Sequence, residues 1–156
     1  MPDDTLGELE QSTVNRATIR GLPGDRIEGG AIRESNFFHS FQDFSINEGQ
    51  AAYFANPTDI ERIFSRVTGE RASAILGRLG VLGEADLFFL NPNGILFGPR
   101  ASLDLEGSFV GTTANGIAFG EAGTFSTTNP QPPSRLLSVV LRCLLVWFAA
   151  CLHRFR

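Results

Sequence analysis

LFFLNPNGILFGPRASLDLEGSFVGTTANGIAFG, residues 87–120, contains one phrase twice. Residues 93–98 read NGILFG, and residues 115–120 read NGIAFG, 22 positions later. Self-similarity at a fixed period of about 20–30 residues is typical of solenoids, in which each repeat buries its apolar face only by stacking on the next one. The phrase therefore predicts a chain that winds into stacked turns.

The repeating unit has the pattern of strands rather than helices. Short runs of Ile, Leu, Phe and Val are separated by Gly or Asn-Gly, and residues 103–105 alternate apolar and polar side chains. The flanks match in type at the same offset, since Leu87 corresponds to Phe109. The sequence thus predicts an all-β parallel β-helix in which Phe97 and Phe119 lie over one another in adjacent turns.

Composition indicates one domain with many turns and short strands. The chain has 156 residues, including 17 glycines, 8 prolines and 14 phenylalanines, and it is long enough to bury a core. All 13 basic residues are arginines, and all 17 acidic residues lie at or before Glu121. An acidic body without a basic stripe releases few counterions from a phosphate backbone, so nucleic-acid binding is disfavoured.

Several segments have clear local patterns. Residues 14–21 alternate as a first strand, and residues 22–25 (LPGD) have the composition of a turn. Residues 73–83 are glycine-punctuated β structure. The residues expected to point inward from that segment are Ile75, Leu79 and Val81. A cluster of aromatic rings follows Gly30, and we interpret it as a cover for one open end of the core rather than a ligand-stacking surface. Its members are Phe37, Phe38, Phe41 and Phe44.

Residues 58–67 permit two interpretations. Thr58 to Glu61 has the form of a capping box, and apolar residues follow at helical spacing up to Gly69. The segment RIFSRV, residues 62–67, also fits a strand with alternating faces. The local pattern alone favours a short helix, and we favour the strand because of the family resemblance described below.

The two ends of the chain differ in composition from the body. Residues 1–13 are polar and acidic and are predicted to be disordered or frayed, and residues 14–125 form the β-helix domain. Residues 126–135 form a proline-rich linker. Residues 136–156 are an apolar tail, irregular or helical, for which two explanations stay open. It is a non-native coda from a shifted reading frame, or a marginal membrane helix interrupted by Arg142.

The sequence contains no constellation typical of catalysis, a cofactor or a metal. His39 and His153 are far apart, in unlike contexts, and no set of histidines and cysteines has metal-ligand spacing. Asp104 and Glu106 are two positions apart on one face of a predicted strand, where paired carboxylates can flank a glycan or bind Ca²⁺. They fit a solvated outer face better. A carbohydrate-binding or carbohydrate-active β-helix stays as the alternative to a non-enzymatic protein.

The strongest local signal is the turn Asn91-Pro92-Asn93-Gly94. Pro92 fixes φ at the second turn position, the asparagines can bond their own backbone, and Gly94 tolerates a left-handed conformation. Physical chemistry alone favours a structural corner. A recognition feature that a partner protein reads is the alternative.

With these residues in view, the sequence resembles the N-terminal secretion domain of the filamentous haemagglutinin family, the exported partner in two-partner secretion. The resemblance covers roughly Thr5 to Phe119 and is closest to cyanobacterial members. It rests on several phrases in one order. They are GGAIR at 29–33, NFFHSF at 36–41, FANP at 54–57, SRVTG at 65–69, NPNGI at 91–95 and GSFV at 107–110.

The resemblance implies a right-handed parallel β-helix with an N-terminal cap of extra strands. It also implies a non-catalytic role, in which periplasmic domains of a cognate outer-membrane β-barrel transporter recognise the domain and export a large adhesin or haemagglutinin. The family's Asn-Pro-Asn-Gly-Ile motif falls on Asn91, Pro92, Asn93, Gly94 and Ile95. Its other Asn-Pro motif is matched only by Asn56 and Pro57.

The resemblance further implies a secreted or cell-surface protein, with host-cell or glycan surfaces as partners of a longer C-terminal part. The first residues, Met-Pro-Asp-Asp, have neither the cationic start nor the apolar segment of a signal peptide. We therefore expect a truncated member of the family.

Overall fold

The computed structural model describes residues 1–134 and the backbone of residues 153–155. The fold is almost entirely β and winds into a solenoid of about four turns. Each turn contributes one strand to a first sheet and one to a second sheet, and the middle turns add a strand to a short third sheet. The predicted all-β parallel β-helix is confirmed.

The first sheet runs in the order β1 (Ser12–Ile19), β2 (Leu22–Gly29), β5 (Ala51–Ala55), β8 (Arg78–Leu82) and β11 (Ser102–Asp104). The second runs β15 (His153–Phe155), β12 (Phe109–Thr112), β9 (Asp86–Leu90), β6 (Arg62–Val67), β4 (Asn36–Phe41) and β3 (Ala31–Arg33). The third pairs β7 (Ser73–Ile75) with β10 (Ile95–Phe97). A separate hairpin pairs β13 (Gly116–Ala118) with β14 (Thr124–Ser126), and a 3-10 turn spans Gly120–Ala122.

The N-terminal cap consists of antiparallel strands at the start of the solenoid. β1 pairs antiparallel with β2, and β3 pairs antiparallel with β4, whereas the strands that stack from turn to turn are parallel. β1 and β3 therefore give the strands of the first turn, β2 and β4, hydrogen-bonded neighbours at the end of the solenoid. Open ladder groups at that end would otherwise be available for pairing with another chain.

The length of a turn shortens along the solenoid. In the second sheet Phe37 pairs with Ile63, Ile63 with Leu87, and Leu87 with Phe109, at separations of 26, 24 and 22 residues. The 22-residue offset seen in the sequence is thus the register between β9 and β12, and β7 and β10 repeat it.

The second copy of the repeated phrase leaves the coil. β13 pairs with β14 rather than with β10, and Phe119 packs 5.3 Å from Phe64 between ring centroids. Phe97 packs edge-on against Phe109 at 6.0 Å. The prediction that Phe97 and Phe119 stack is therefore wrong. The hairpin that carries Phe119 covers the apolar outer face of the second sheet, which water would otherwise contact.

The interior follows the alternation of the strands. From β4, Phe37 and Phe41 point inward, and Phe44 joins them, whereas Phe38 lies in a separate apolar cluster on the outer face. Ile75, Leu79 and Val81 are buried in the interior, as the glycine-punctuated segment predicted.

Residues 62–67 form β6, which confirms the strand over the helix. β6 is hydrogen-bonded to β4 on one side and to β9 on the other. These backbone bonds between turns outweigh the helical spacing of its apolar residues. The predicted turn at residues 22–25 is wrong. The chain reverses at Arg20 and Gly21, both with positive φ, and Pro23 lies in β2 at a position before its pairing with β5 begins. The missing N–H of Pro23 therefore removes no bond from the β2–β5 ladder.

Both segments that flank the predicted domain pack onto it. Leu6 is fully buried, and the backbone of Asp3 donates to Ser40, so residues 1–13 are not frayed. Residues 126–134 do not form a free linker, since Thr127 is buried and Pro133 accepts a hydrogen bond from Arg33. The coda or membrane helix predicted at 136–156 falls outside the described residues, apart from the short backbone strand β15.

Candidate functional site

The turn at Asn91–Gly94 forms the corner between β9 and β10. The amide N–H of Gly94 donates to Asn91 O at 3.1 Å, which closes the turn. The side-chain oxygen of Asn91 accepts from the backbone of Asn93 at 3.0 Å, and Gly94 has a φ of 118°. An asparagine bonded to its own turn and a glycine at positive φ are what the sequence predicted here.

This corner is bonded to the corner of the preceding turn of the solenoid. Asn91 is fully buried, and its Nδ2 donates to Arg71 O at 3.0 Å and Ser73 Oγ at 2.9 Å. Asn93 Nδ2 donates to Gly69 O at 2.7 Å. With these donors satisfied, the corner is rigid and presents a fixed shape to solvent.

The surface of this corner is formed by few side chains. Asn93 is exposed and Pro92 is half-buried. On the neighbouring strand β10, Ile95 is half-buried and Leu96 is 61% exposed. A proline ring and a leucine on a rigid turn form a small apolar surface that a partner protein can contact.

Asn56 and Pro57 lie at a different corner, between β5 and β6. Asn56 Oδ1 accepts from Ala85 N at 2.9 Å, and its Nδ2 donates to Ile60 O at 3.1 Å. A Cβ on Gly83 would lie 2.3 Å from Asn56 Oδ1, so this position needs glycine. The side chain of Asn56 thus holds two successive turns together.

The structure does not bring the two motifs together. The Asn56 corner lies before β6, at the edge where the strands of the second sheet begin. The Asn91 corner lies after β9, at the edge where they end. The six residues of β6 span on the order of 17 Å, which separates the two edges. A partner that reads both motifs has to contact both edges of the second sheet.

The predicted carboxylate pair is not a pair. Asp104 is the last residue of β11, whereas exposed Glu106 lies beyond the strand, so they do not share a strand face. Asp104 accepts from Arg20 Nη1 at 2.8 Å and from Tyr53 OH at 2.5 Å. Burial is the main cause that raises the pKa of Tyr53, and the hydrogen bond to Asp104 raises it further. Asp104 in β11 therefore ties the turn of the β1–β2 hairpin and Tyr53 of β5 together across the first sheet.

A polar cluster on the outer face of the second sheet was not found from the sequence. Its centre is Arg66, which is fully buried, with Asp3, Thr5, Ser40 and Thr68 around it. Arginine within a short strand was the only signal, and an exposed arginine gives the same signal. Of the described residues, no three His, Cys, Asp or Glu side chains are placed to hold a metal ion.

Comparison with known proteins identifies the family. The family model described as the TPS secretion domain, where TPS stands for two-partner secretion, matches residues 2–143. A Heme/hemopexin-binding protein of Haemophilus influenzae is 30% identical over 109 residues, which are 69% of this chain. The chain spans 10% of that protein's length. No solved structure matches.

Membership of this family indicates where such proteins are located and that they form a class of secretion domains. Exoproteins of two-partner secretion are secreted or surface-associated, and the family is a secretion domain rather than a class of enzymes. In the part of the chain that the structure describes, no helix is long and apolar enough to span a membrane. The chain belongs to the TPS secretion domain family, the exported side of two-partner secretion.

Proposed function

We propose that this chain is the recognition domain of a two-partner-secretion exoprotein and that a cognate outer-membrane β-barrel transporter reads it through its periplasmic domains. The contact surface is the corner formed by Asn91–Gly94, with Ile95 at the start of the next strand. The corner of Asn56 and Pro57 is a second contact. The recognised feature is shape, and no catalytic step is involved.

One observation carries the proposal, namely that the Asn91 corner is rigid and exposed in a chain of the secretion family. Its buried amide group is fully bonded, since Asn91 Nδ2 donates to Arg71 O and Ser73 Oγ of the preceding turn and Oδ1 accepts from Asn93 N. Pro92, Asn93 and Leu96 are left at the surface. A preorganised surface binds a partner without a large loss of conformational entropy.

The rest of the exoprotein determines what is delivered. We propose an adhesin or haemagglutinin that reaches host-cell or glycan surfaces through a part beyond this domain, since the chain spans 10% of its relative. The name of that relative describes heme and hemopexin binding.

Secretion and binding of paired variants test the proposal. In a full-length exoprotein produced with its transporter, Pro92→Ala combined with Leu96→Ala is expected to reduce the amount in the medium at least tenfold. Neither substitution removes a bond from Asn91, so the fold is retained. Binding of the purified domain to the transporter's periplasmic domains is expected to weaken in parallel.

Asn47→Ala provides the matched control, because Asn47 lies in an exposed turn at another corner of the solenoid. We expect it to be secreted like the wild type. Wild-type secretion and binding of the Pro92/Leu96 variant, with circular dichroism unchanged, would contradict recognition at this corner.

A further inference from the structure

Arg66 joins three parts of the chain that are distant in sequence. Its side chain leaves β6 on the outer face of the second sheet and is 0% exposed. The guanidinium donates to the neighbouring strand, to the N-terminal segment (residues 1–6) and to the C-terminal segment (residues 124–131). The acceptors are Ser40 Oγ at 2.9 Å, Thr5 Oγ1 at 2.9 Å, Thr5 O at 3.2 Å, Ser126 O at 3.0 Å and Gln131 O at 3.1 Å.

These acceptors make the burial of a charge possible. Within the described residues Arg66 forms no ion pair, so neutral oxygens supply its bonds. Burial lowers the pKa of Arg66 to about 10, against the Coulomb attraction of Asp3. A buried guanidinium that loses acceptors is expensive. Loss of either segment therefore opens the site to water.

Asp3 fixes the N-terminal segment to the same place. Its carboxylate accepts from Thr5 Oγ1 at 2.6 Å, Ser40 Oγ at 3.0 Å and Thr68 Oγ1 at 2.5 Å. Burial raises the pKa of Asp3, but the bonds from Thr5, Thr68 and Ser40 outweigh it and leave the pKa lowered. Ser40 is shared, since it donates to Asp3 and accepts from Arg66.

Apolar contacts of the two segments lie beside this polar site. Leu6 and Phe125 both belong to the outer apolar cluster with Phe38 and Phe64. The ring of Phe125 lies 4.9 Å from that of Phe38 and 4.4 Å from the guanidinium carbon of Arg66. Both segments are thus needed to cover the aromatic side chains of the second sheet.

We propose that Arg66 couples the docking of the N-terminal and C-terminal segments, so that neither closes stably without the other. The outer face of the second sheet is then completed only when the chain as far as Gln131 is in place. The first residues of the domain stay open until its last residues arrive. This coupling does not depend on the transporter and is tested without it.

Amide hydrogen exchange of the full chain, carrying Thr127→Val, tests the coupling. The side-chain hydroxyl of Thr127 donates to Asn115 O at 2.9 Å, not to any acceptor of Arg66. Loss of this hydrogen bond destabilises the closed C-terminal segment. It is expected to raise the equilibrium constant for opening about five-fold, the effect of about one buried hydrogen bond. We expect the amides of Asp3 and Gln42, which bond to Ser40 O and Met1 O, to exchange about five-fold faster as well.

Arg66→Met identifies the residue responsible. Arg62→Met is its control on the same strand, because the side chain of Arg62 makes only a 3.5 Å bond to Ser35 Oγ and a 3.4 Å ion pair with exposed Glu61 among the described residues. Arg66→Met is expected to speed exchange in both segments, and adding Thr127→Val should then leave Gln42 unchanged. Arg62→Met should affect neither segment.

Two results would overturn the proposal. One is faster exchange in the C-terminal segment alone in Thr127→Val, with Asp3 and Gln42 unaffected. This result is decisive even if Arg66→Met does not fold. The other is full transmission from Thr127→Val to Gln42 in the Arg66→Met background, which would assign the coupling to the apolar cluster.

Discussion

His39 makes the stability of the fold depend on pH. Its imidazole is fully buried, with ring centroids 4.3 Å from Phe37 and 5.2 Å from Phe54. Nδ1 lies 3.1 Å from Ser12 Oγ, and Nε2 has no hydrogen-bond partner among the described residues. Burial lowers the pKa of His39 from 6.5 to about 3.

The sign and size of the effect follow from this pKa. Below pH 6.5 the unfolded chain binds a proton at His39 that the folded chain does not bind until about pH 3, so stability falls as pH falls. One pH unit within that window corresponds to about 1.4 kcal/mol. Lowering the pH from about 7.5 to about 5 should therefore remove about 2 kcal/mol from the free energy of unfolding.

Urea unfolding of the wild type and His39→Gln at both pH values measures the effect. The glutamine variant is less stable at neutral pH, but its pH-induced loss should be about 2 kcal/mol smaller than that of the wild type. Carboxylates and His153 are present in both proteins, so their contributions cancel in the difference. An equal loss in the two proteins would refute the assignment of this pH dependence to His39.

Three further substitutions test the packing. Gly80→Ala places a Cβ 2.3 Å from Tyr53 Cε1 and is expected to lower the free energy of unfolding by about 1–3 kcal/mol, measured by urea titration. Asn91→Ala removes two donated hydrogen bonds from a buried amide and should cost about 2–3 kcal/mol, whereas Asn47→Ala in an exposed turn should stay within about 0.5 kcal/mol. Phe64→Ala opens a cavity among stacked rings and should cost about 3–5 kcal/mol in thermal or urea unfolding. A loss below about 1 kcal/mol at Phe64 would contradict its place in the outer cluster.

The sequence contained the register of the later turns because stacked strands repeat in type. Leu87 and Phe109 were matched by their offset, and they are partners in the second sheet. For residues 62–67 the local pattern favours a helix, and only the family resemblance favours the strand that the structure shows. Both faces of β6 are buried, so an alternation of buried and exposed positions does not distinguish it as a strand.

The parts that were not predicted depend on contacts between distant residues. Phe119 repeats the pattern of Phe97, but the apolar outer face of the second sheet draws its hairpin out of the coil. Arg66 looks like a surface arginine until residues 126–131 are placed on it. For the candidate recognition site, the turn geometry at Asn91 was predicted from its residues. Its bonds to the preceding corner required the structure.

The shortening of successive turns takes place at the corners. The corner before the second sheet has six residues at 56–61 but only three at 83–85, while the flanking strands stay in register. The pairing register of the strands thus does not depend on the length of the corners. Segments of different length can therefore be exchanged at the corners without shifting any ladder. New surface features can therefore evolve, or be grafted, on an unchanged scaffold, provided that the glycines and asparagines that link one corner to the next are kept.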